Sequence, residues 1–424
     1  MPLLLVISTT TGYQTRAFGE AADRLGVELV FATDRCHMIE DPWRDQAIAI
    51  RFHDEQAAVD GILAAAALRP LDGVLVLGDR PTVIGARVAE ALRIAGHPPE
   101  AAAIARHKQR TRERLRAAGL PVPWFVATTS AADPLVVAAS IRYPAVIKPV
   151  ALSGSRGVMR ADGADAFVVA FRRLQALLQS PDIRSERSEA HETVLIEGFI
   201  PGREYALEGL LHHGVLQVLA IFDKPDPLDG PFFEETIYVT PSSAGAAGSA
   251  AMVDAVTRAA EAIGLHHGPV HAECRVNQQG VFVLEVAARP IGGLCARALR
   301  FEGDGANPLF SLEELLLRHA LGEAPESWRR EGPASGVMMI PIPQRGVFRR
   351  ADGVDEARAV AGIDDIQVTA KADQLLIPLP EGASYLGFIF AHAERPGDVD
   401  RALRTAHGRL RFAIDPEIPL IGRG

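Results

Sequence analysis

The chain has 424 residues, 48% hydrophobic and 23% charged, with a net charge of −9; this length suggests two or three domains, and the negative balance argues against a general nucleic-acid surface. Cys36, Cys274 and Cys295 lack metal-like spacing, so neither a disulfide framework nor a zinc site is expected. The opening MPLLLVIS has no basic leader or cleavage site, and no apolar run approaches the length of a membrane span, so a cytoplasmic protein with no membrane partner is expected.

Residues 3–7 (LLLVI) read as a buried strand, followed by a polar loop at Ser8–Gln14, a helix near Arg16–Leu25 and a strand over 27–32. Gly73–Leu77 is another buried run, ending at Gly78-Asp79, and a helix follows through Leu92. Short apolar strands alternating with helices predict a doubly wound parallel sheet. Such sheets bind ligands at the carboxyl ends of their strands, which makes Ser8–Gln14 and Gly78–Pro81 candidate substrate walls. Neither loop carries a dinucleotide fingerprint. Pro98–Ala118 reads as one helix, capped by Gly119 and stopped at Pro121. Its Lys108 is either part of a solvated basic face or a site residue.

Tyr143–Val150 is a strand with Lys148 inside an apolar run, so that lysine either snorkels outward or points into a polar cavity. The loop that follows, Ser153-Gly154-Ser155-Arg156-Gly157-Val158, could cradle a phosphate with its backbone amides or be a plain turn. Ala164–Leu178 is a helix, and Gln179–Glu192 reads as an irregular, mobile surface loop. Strands at Thr193–Glu197, around Glu204 and Glu208, and over 215–221 come next. The long acidic segment Phe222–Ser243 has the character of a functional loop. Its Asp223, Glu234 and Glu235 could hold an ammonium group or be simple surface acids. Ala250–Ile263 and Phe310–Leu321 read as helices and 322–334 as a linker. The remainder reads as a small α+β domain that packs over an active site or builds a dimer interface.

The most informative stretch is Val270–Leu294, VHAECRVNQQGVFVLEVAARPIGGL. It reads as a hairpin with a three-residue loop, Gln278-Gln279-Gly280, in which Gly280 takes the left-handed position. Asn277 then pairs with Val281, and Glu273 lies opposite Glu285. One face carries His271, Glu273, Arg275, Val283, Glu285, Ala287 and Arg289; the other is apolar. Directly opposed like charges repel. Either a hard divalent cation sits between the two carboxylates, or Arg275 and Arg289 neutralise them on a solvated face.

Taken in order, Lys108, Lys148 with SGSRGV, LIEGFIPGREY, and HAECRV with VFVLEVAARPIGG resemble the ATP-grasp ligases over residues 100 to 300. IPLPEGASYLGFIFA further resembles the last domain of bacterial L-amino-acid ligases. The resemblance implies an α/β chain, α+β in parts: an N-terminal α/β domain over 1–105, an ATP-grasp domain over 106–310 with a lid subdomain at about 121–196, and a C-terminal α+β domain over 330–424. It implies ATP and Mg²⁺, with Mn²⁺ as a substitute. Lys108 and Lys148 resemble the two ATP lysines, Ser153, Gly154 and Ser155 the lid over the phosphates, and Glu197, Phe199 and Ile200 the adenine hinge. Glu204 is similar to the ribose-hydroxyl acceptor, and Glu273 and Glu285 to the metal ligands. Arg289 is similar to the arginine that holds the substrate carboxylate and the oxyanion, assisted by backbone amides near Gly292 and Gly293. His271 could act near the amine.

Where many family members carry an Asn metal ligand, this chain has Ala287. The activity implied is formation of an acyl phosphate from a substrate carboxylate, then attack by an amine, giving a dipeptide or related amide. Partners would be small-molecule carboxylates and amines, in a monomer or homodimer. A carboxylase of the biotin carboxylase type and a non-catalytic ATP-binding module are the alternatives.

Overall fold

The computed structural model describes residues 1–9, 12–34, 47–302 and 309–417. Cys36, and residues 10 and 11 of the first candidate loop, lie outside that range. Two parallel neighbours flank the first strand in a four-stranded sheet ordered Ala47–Ala49, Glu28–Thr33, Leu3–Ser8, Gly73–Leu77. Every residue of Leu3–Ser8 is buried, because parallel strands covered by helices are apolar on both faces. Ser8 pairs with Leu77, so the carboxyl ends of these two strands lie side by side, and the chain leaves them at Thr9 and at Gly78-Asp79.

The expected single helix over 98–118 is two, Pro99–Arg106 and Lys108–Ala117. His107 breaks it: its backbone is extended (φ −113°, ψ 101°), and its side chain accepts a hydrogen bond from the Arg110 amide. Lys108 therefore stands in the first turn of the second helix, and Arg112 follows one turn later on the same face.

A four-stranded antiparallel sheet, ordered Phe125–Thr129, Thr193–Gly198, Ala145–Pro149, Met159–Ala161, packs against helix Ala164–Leu178. The segment expected to be an irregular loop contains helix Pro181–Ser185 and a 3₁₀ turn at Glu189–Glu192. His191 is buried there and contacts Glu186 at 2.9 Å. The acidic segment also holds a strand, Ile237–Thr240.

Ile237–Thr240 joins the two halves of the central sheet. Eight strands run in the order Gly280–Ala287, Gly268–Asn277, Arg203–His212, Val215–Asp223, Ile237–Thr240, Ala334–Ile340, Gly387–Ala393, Ile363–Val368. The last three belong to the region read as a small α+β domain over the active site. They continue the central sheet, and Phe388 and Phe390 share a core cluster with Leu210 and Phe222.

The hairpin brings Glu273 opposite Glu285, but by a different route. Asn277 pairs with Gly280, so the loop has two residues, Gln278 and Gln279. That register alone would misplace the glutamates. A bulge corrects it: Cys274 pairs with Val283 and Glu273 with Glu285, leaving Leu284 as the extra residue. Val283 consequently lies with Cys274 in the apolar core, not on the charged face.

Candidate active site

A cavity of about 650 Å³ lies where the first-sheet loops, the lid sheet, the hairpin and the C-terminal strands converge. Sixteen positions named from the sequence line it: Lys108, Lys148, Ser153, Gly154, Ser155, Glu197, Phe199, Ile200, Glu204, Glu235, His271, Glu273, Glu285, Arg289, Gly292 and Gly293. Glu234 does not. It points away from its neighbour Glu235, toward the backbone of Ile342, and burial raises its pKa. Asp223 is also elsewhere, accepting hydrogen bonds from the Ser242 hydroxyl (2.6 Å) and the Ser243 amide. Thr9 and Gly78-Asp79-Arg80 form one wall, and Glu186, Ser188 and His191 another.

The lysines are held by the backbone and by a buried carboxylate. Lys108 Nζ donates to the Leu152 carbonyl at 2.7 Å and lies 3.7 Å from Glu285 Oε2. Lys148 pairs with Glu197, whose other side meets Arg112 at 2.8 Å. Burial pushes the Glu197 carboxyl up, but Arg112 and then Lys148 outweigh it and hold it down at about 2. Arg112 also donates to the carbonyl of the bulged Leu284 at 2.8 Å. One arginine thus joins the helix, the lid sheet and the hairpin bulge.

The two neutralising arginines considered for the hairpin are engaged elsewhere. Arg275 donates to Glu204 at 2.8 Å and to the Ile200 carbonyl at 2.7 Å. Arg289 forms a two-point pair with Asp79, 2.9 and 3.2 Å. Burial lowers the Arg289 pKa, but Asp79 raises it further. Glu273 instead faces Lys224, whose Nζ lies 3.2 Å from Glu273 and 2.9 Å from Glu204 and also contacts Glu235. Oxygens of these three carboxylates lie within 4.8 Å of one another. Burial depresses the Lys224 pKa, yet the acids around it raise it well above its usual value. Burial and Glu273 together push Glu235 up to about 7.

His271 stands between Glu208 (3.0 Å) and Glu273 (3.8 Å). Burial lowers its pKa, but the bonds to those acids raise it to about 9, so it is a cation at neutral pH. Glu208 also accepts from the Ile291 amide at 3.0 Å, fixing the loop between Arg289 and Gly292. Gly293 has φ +62°, and a Cβ there would stand 3.1 Å from the Phe388 ring.

The C-terminal strands close the cavity with Met339, Thr369, Gln374, Ala383, Ser384, Tyr385 and Phe388. The same segment grips the glycine-rich loop: the Gly157 amide donates to the Pro380 carbonyl (2.8 Å), and Arg156 to the Glu381 carbonyl (2.7 Å). Gly154, Ser155 and Gly157 have φ of 63°, 54° and 74°. Left-handed residues such as these turn backbone amides toward a common point.

Reasoning from the sequence missed Arg112, Lys224, Glu208 and Tyr385. Arg112 was detectable as the i+4 neighbour of Lys108. Lys224 directly follows the apolar strand Val215–Asp223, much as Lys148 stands near the end of Ala145–Pro149, and could have been read the same way.

Comparison with known proteins agrees with this geometry. Residues 141–298 match the ATP-grasp domain, residues 19–96 the ATP-grasp N-terminal domain, and residues 338–415 the L-amino acid ligase C-terminal domain 2. The chain carries ATP-grasp domains. This ATP-grasp protein is similar to the crystal structure of the L-amino acid ligase from Bacillus licheniformis, with a TM-score of 0.81 and 28% identity over 98% of this chain and 99% of that one. It is 26% identical to the alanine–anticapsin ligase of Bacillus subtilis over 257 residues, covering 57% of this chain and 53% of that protein. The biotin carboxylase domain of a Hydrogenobacter thermophilus 2-oxoglutarate carboxylase shares the fold at 16% identity, with a TM-score of 0.65 over 97% of this chain and 90% of that one. The chain spans 66%, 46% and 26% of the length of the first curated relatives it matches.

ATP-grasp enzymes use ATP and divalent metal ions, and the donors here fit both. Glu273 and Glu285 offer hard carboxylate oxygens directly opposed on the sheet. Lys108 and Lys148 line the same cavity as the glycine-rich loop. Among the described residues no helix is long and apolar enough to cross a membrane.

Proposed function

We propose that this protein is an ATP-dependent carboxylate–amine ligase acting on amino acids. It joins them through an acyl phosphate and releases ADP and phosphate. The observation that carries this reading is the cavity itself. On one side are the opposed Glu273–Glu285 pair and the two lysines; on the other are Tyr385 and Phe388, from the region matching the L-amino acid ligase C-terminal domain.

Lys108 and Lys148 bind phosphate oxygens as point charges. Burial lowers the Lys148 pKa despite Glu197, and an incoming phosphate supplies further negative charge that favours its ammonium form. The amides of Ser153–Gly157 cover the phosphates. The backbone of Phe199 and Ile200 borders the adenine, with Glu197 behind it, and Glu204 accepts from the ribose. Glu273 and Glu285 hold Mg²⁺, or Mn²⁺ in its place, which neutralises phosphate charge when bound. Arg289, held in place by Asp79, receives the substrate carboxylate and the developing oxyanion, with Gly292 and Gly293 amides beside it. Glu235 shares the Lys224 cluster and can accept an ammonium proton near pH 7. His271, a cation held by Glu208, orients Glu273 rather than acting as a base toward the amine.

The reaction is phosphoryl transfer to the acid's carboxylate oxygen, then attack by the amine at the acyl carbon, loss of a proton and departure of phosphate. Closure of the glycine-rich loop onto Pro380 and Glu381 keeps water from the acyl phosphate. A phosphate-release screen over pairs of amino acids tests the proposal. Release that requires two amino acids, with ADP as product, supports it. AMP formation, or ATP hydrolysis that needs bicarbonate and no amine, contradicts it.

A further inference from the structure

The tetrapeptide Leu-His-His-Gly occurs twice, at 211–214 and at 265–268. The two copies meet. The first is the tip of the hairpin between strands Arg203–His212 and Val215–Asp223. The second enters strand Gly268–Asn277, whose Gly268 pairs with Leu211. The Gly214 amide donates to the His266 carbonyl at 2.7 Å, locking the two turns together. One ligand nitrogen from each of His212, His213 and His267 lies within 4.8 Å of the others. Their ring centroids are 4.6, 4.9 and 5.2 Å apart.

His319, buried on helix Leu312–Ala320, places Nε2 3.3 Å from His212 Nδ1. That contact leaves His212 Nε2 free and fixes the ring, as a hydrogen-bonded outer partner does for a metal-ligating histidine. No acid pairs with any of these four rings among the described residues. His267 Nδ1 accepts from the His213 amide at 3.5 Å, which leaves Nε2 as its ligand atom.

We propose that His212, His213 and His267 form a three-histidine site for a zinc-class divalent ion (zinc, cobalt or nickel), with His319 as the positioning residue. An all-imidazole donor set selects such ions over Mg²⁺, which prefers oxygen. His213 is exposed and His212 half-buried, so the fourth position opens to water. His267 immediately precedes strand Gly268–Asn277, four residues before His271, which places the site about 13 Å from the catalytic cavity. The metal staples two turns and helix Leu312–Ala320 beneath the first sheet.

The test uses full-length protein without a polyhistidine tag, stripped with chelator and titrated with CoCl₂, then ZnCl₂. Wild type binds one equivalent of Co²⁺ with visible ligand-field absorption, which Zn²⁺ displaces, and Zn²⁺ raises the melting temperature. His213→Ala, at an exposed turn, melts as wild type without metal, loses the absorption and binds Zn²⁺ at least about tenfold more weakly. His213→Gln, which keeps a polar turn, shows the same loss. Glu285→Gln retains the Co²⁺ spectrum. Absence of the spectrum in wild type means that the rings only hydrogen-bond and stack, and overturns the site. Zn²⁺ affinity unchanged in both His213 variants overturns it too. Loss of the spectrum in Glu285→Gln assigns the ion to the catalytic cavity and equally overturns it.

Discussion

Glu197 is buried between Arg112 and Lys148, so its value lies in holding other groups. Removing Arg112 leaves a buried carboxylate with one partner and frees the Leu284 carbonyl. Breaking a buried pair from one side costs about 3–5 kcal/mol. Arg112→Ala should therefore lower stability by about that amount in urea titration, although Arg112 is absent from the cavity lining. Glu285 is the reverse case: it is a quarter exposed and its neighbour Lys108 has a second acceptor. Glu285→Gln should leave the melting temperature near wild type and reduce turnover on the order of 10²-fold or more, with a raised Mg²⁺ requirement. Turnover and Mg²⁺ dependence equal to wild type would remove Glu285 from the metal site.

At the scale of elements, the hairpin bulge and the grip on the glycine-rich loop do the positioning. Deleting Leu284 removes the bulge but keeps every pair of the ladder, so Glu285 still stands opposite Glu273, while the Leu284 carbonyl that Arg112 binds is lost. Such a variant should melt lower than wild type by circular dichroism and retain more Mg²⁺-dependent activity than Glu285→Gln. Arg173 pairs with Glu381 at 2.8 Å on an exposed surface, where ion pairs contribute little to stability. Glu381→Ala should leave the melt unchanged and raise KM for ATP a few-fold.

The elements most readable in the sequence were those with strong periodicity. Gly73–Leu77 and Ala164–Leu178 have the predicted bounds. The break at His107 was hidden because the helical pattern continues through it; only the local cap ends the first helix. The bulge was hidden because two errors offset: a loop one residue too long and a missing extra residue give the same Glu273–Glu285 pairing. The identities of the lining residues were largely legible, since they sit in ordered motifs. Their partners were not, because Arg112, Lys224 and Asp79 reach the site from segments distant in the chain.

For the whole molecule, the decisive feature is the shared sheet. Ala334–Ile340 pairs with Ile237–Thr240, so truncation after residue 330 exposes a strand edge and strips Val337, Met339, Phe388 and Phe390 from the core around Phe222. The truncated chain should be insoluble or unfolded by circular dichroism, rather than an active ATP-grasp domain. Acid stability follows from Glu197. Its folded pKa, about 2, is below its ordinary 4.5, so the stabilisation is fully present above pH 4.5 and is lost as pH falls toward 2. Arg112→Met should bring acid unfolding to a higher pH, monitored by fluorescence.

The central claim is that this cavity couples ATP cleavage to amide formation. Its most direct measurement is product analysis of ATP turnover with one amino acid, with two, and with bicarbonate. The account predicts ADP, phosphate and a dipeptide or related amide in equal amounts, only with both acid and amine present. Turnover supported by bicarbonate alone, release of AMP, or ATP binding without turnover for any amino-acid pair would contradict it.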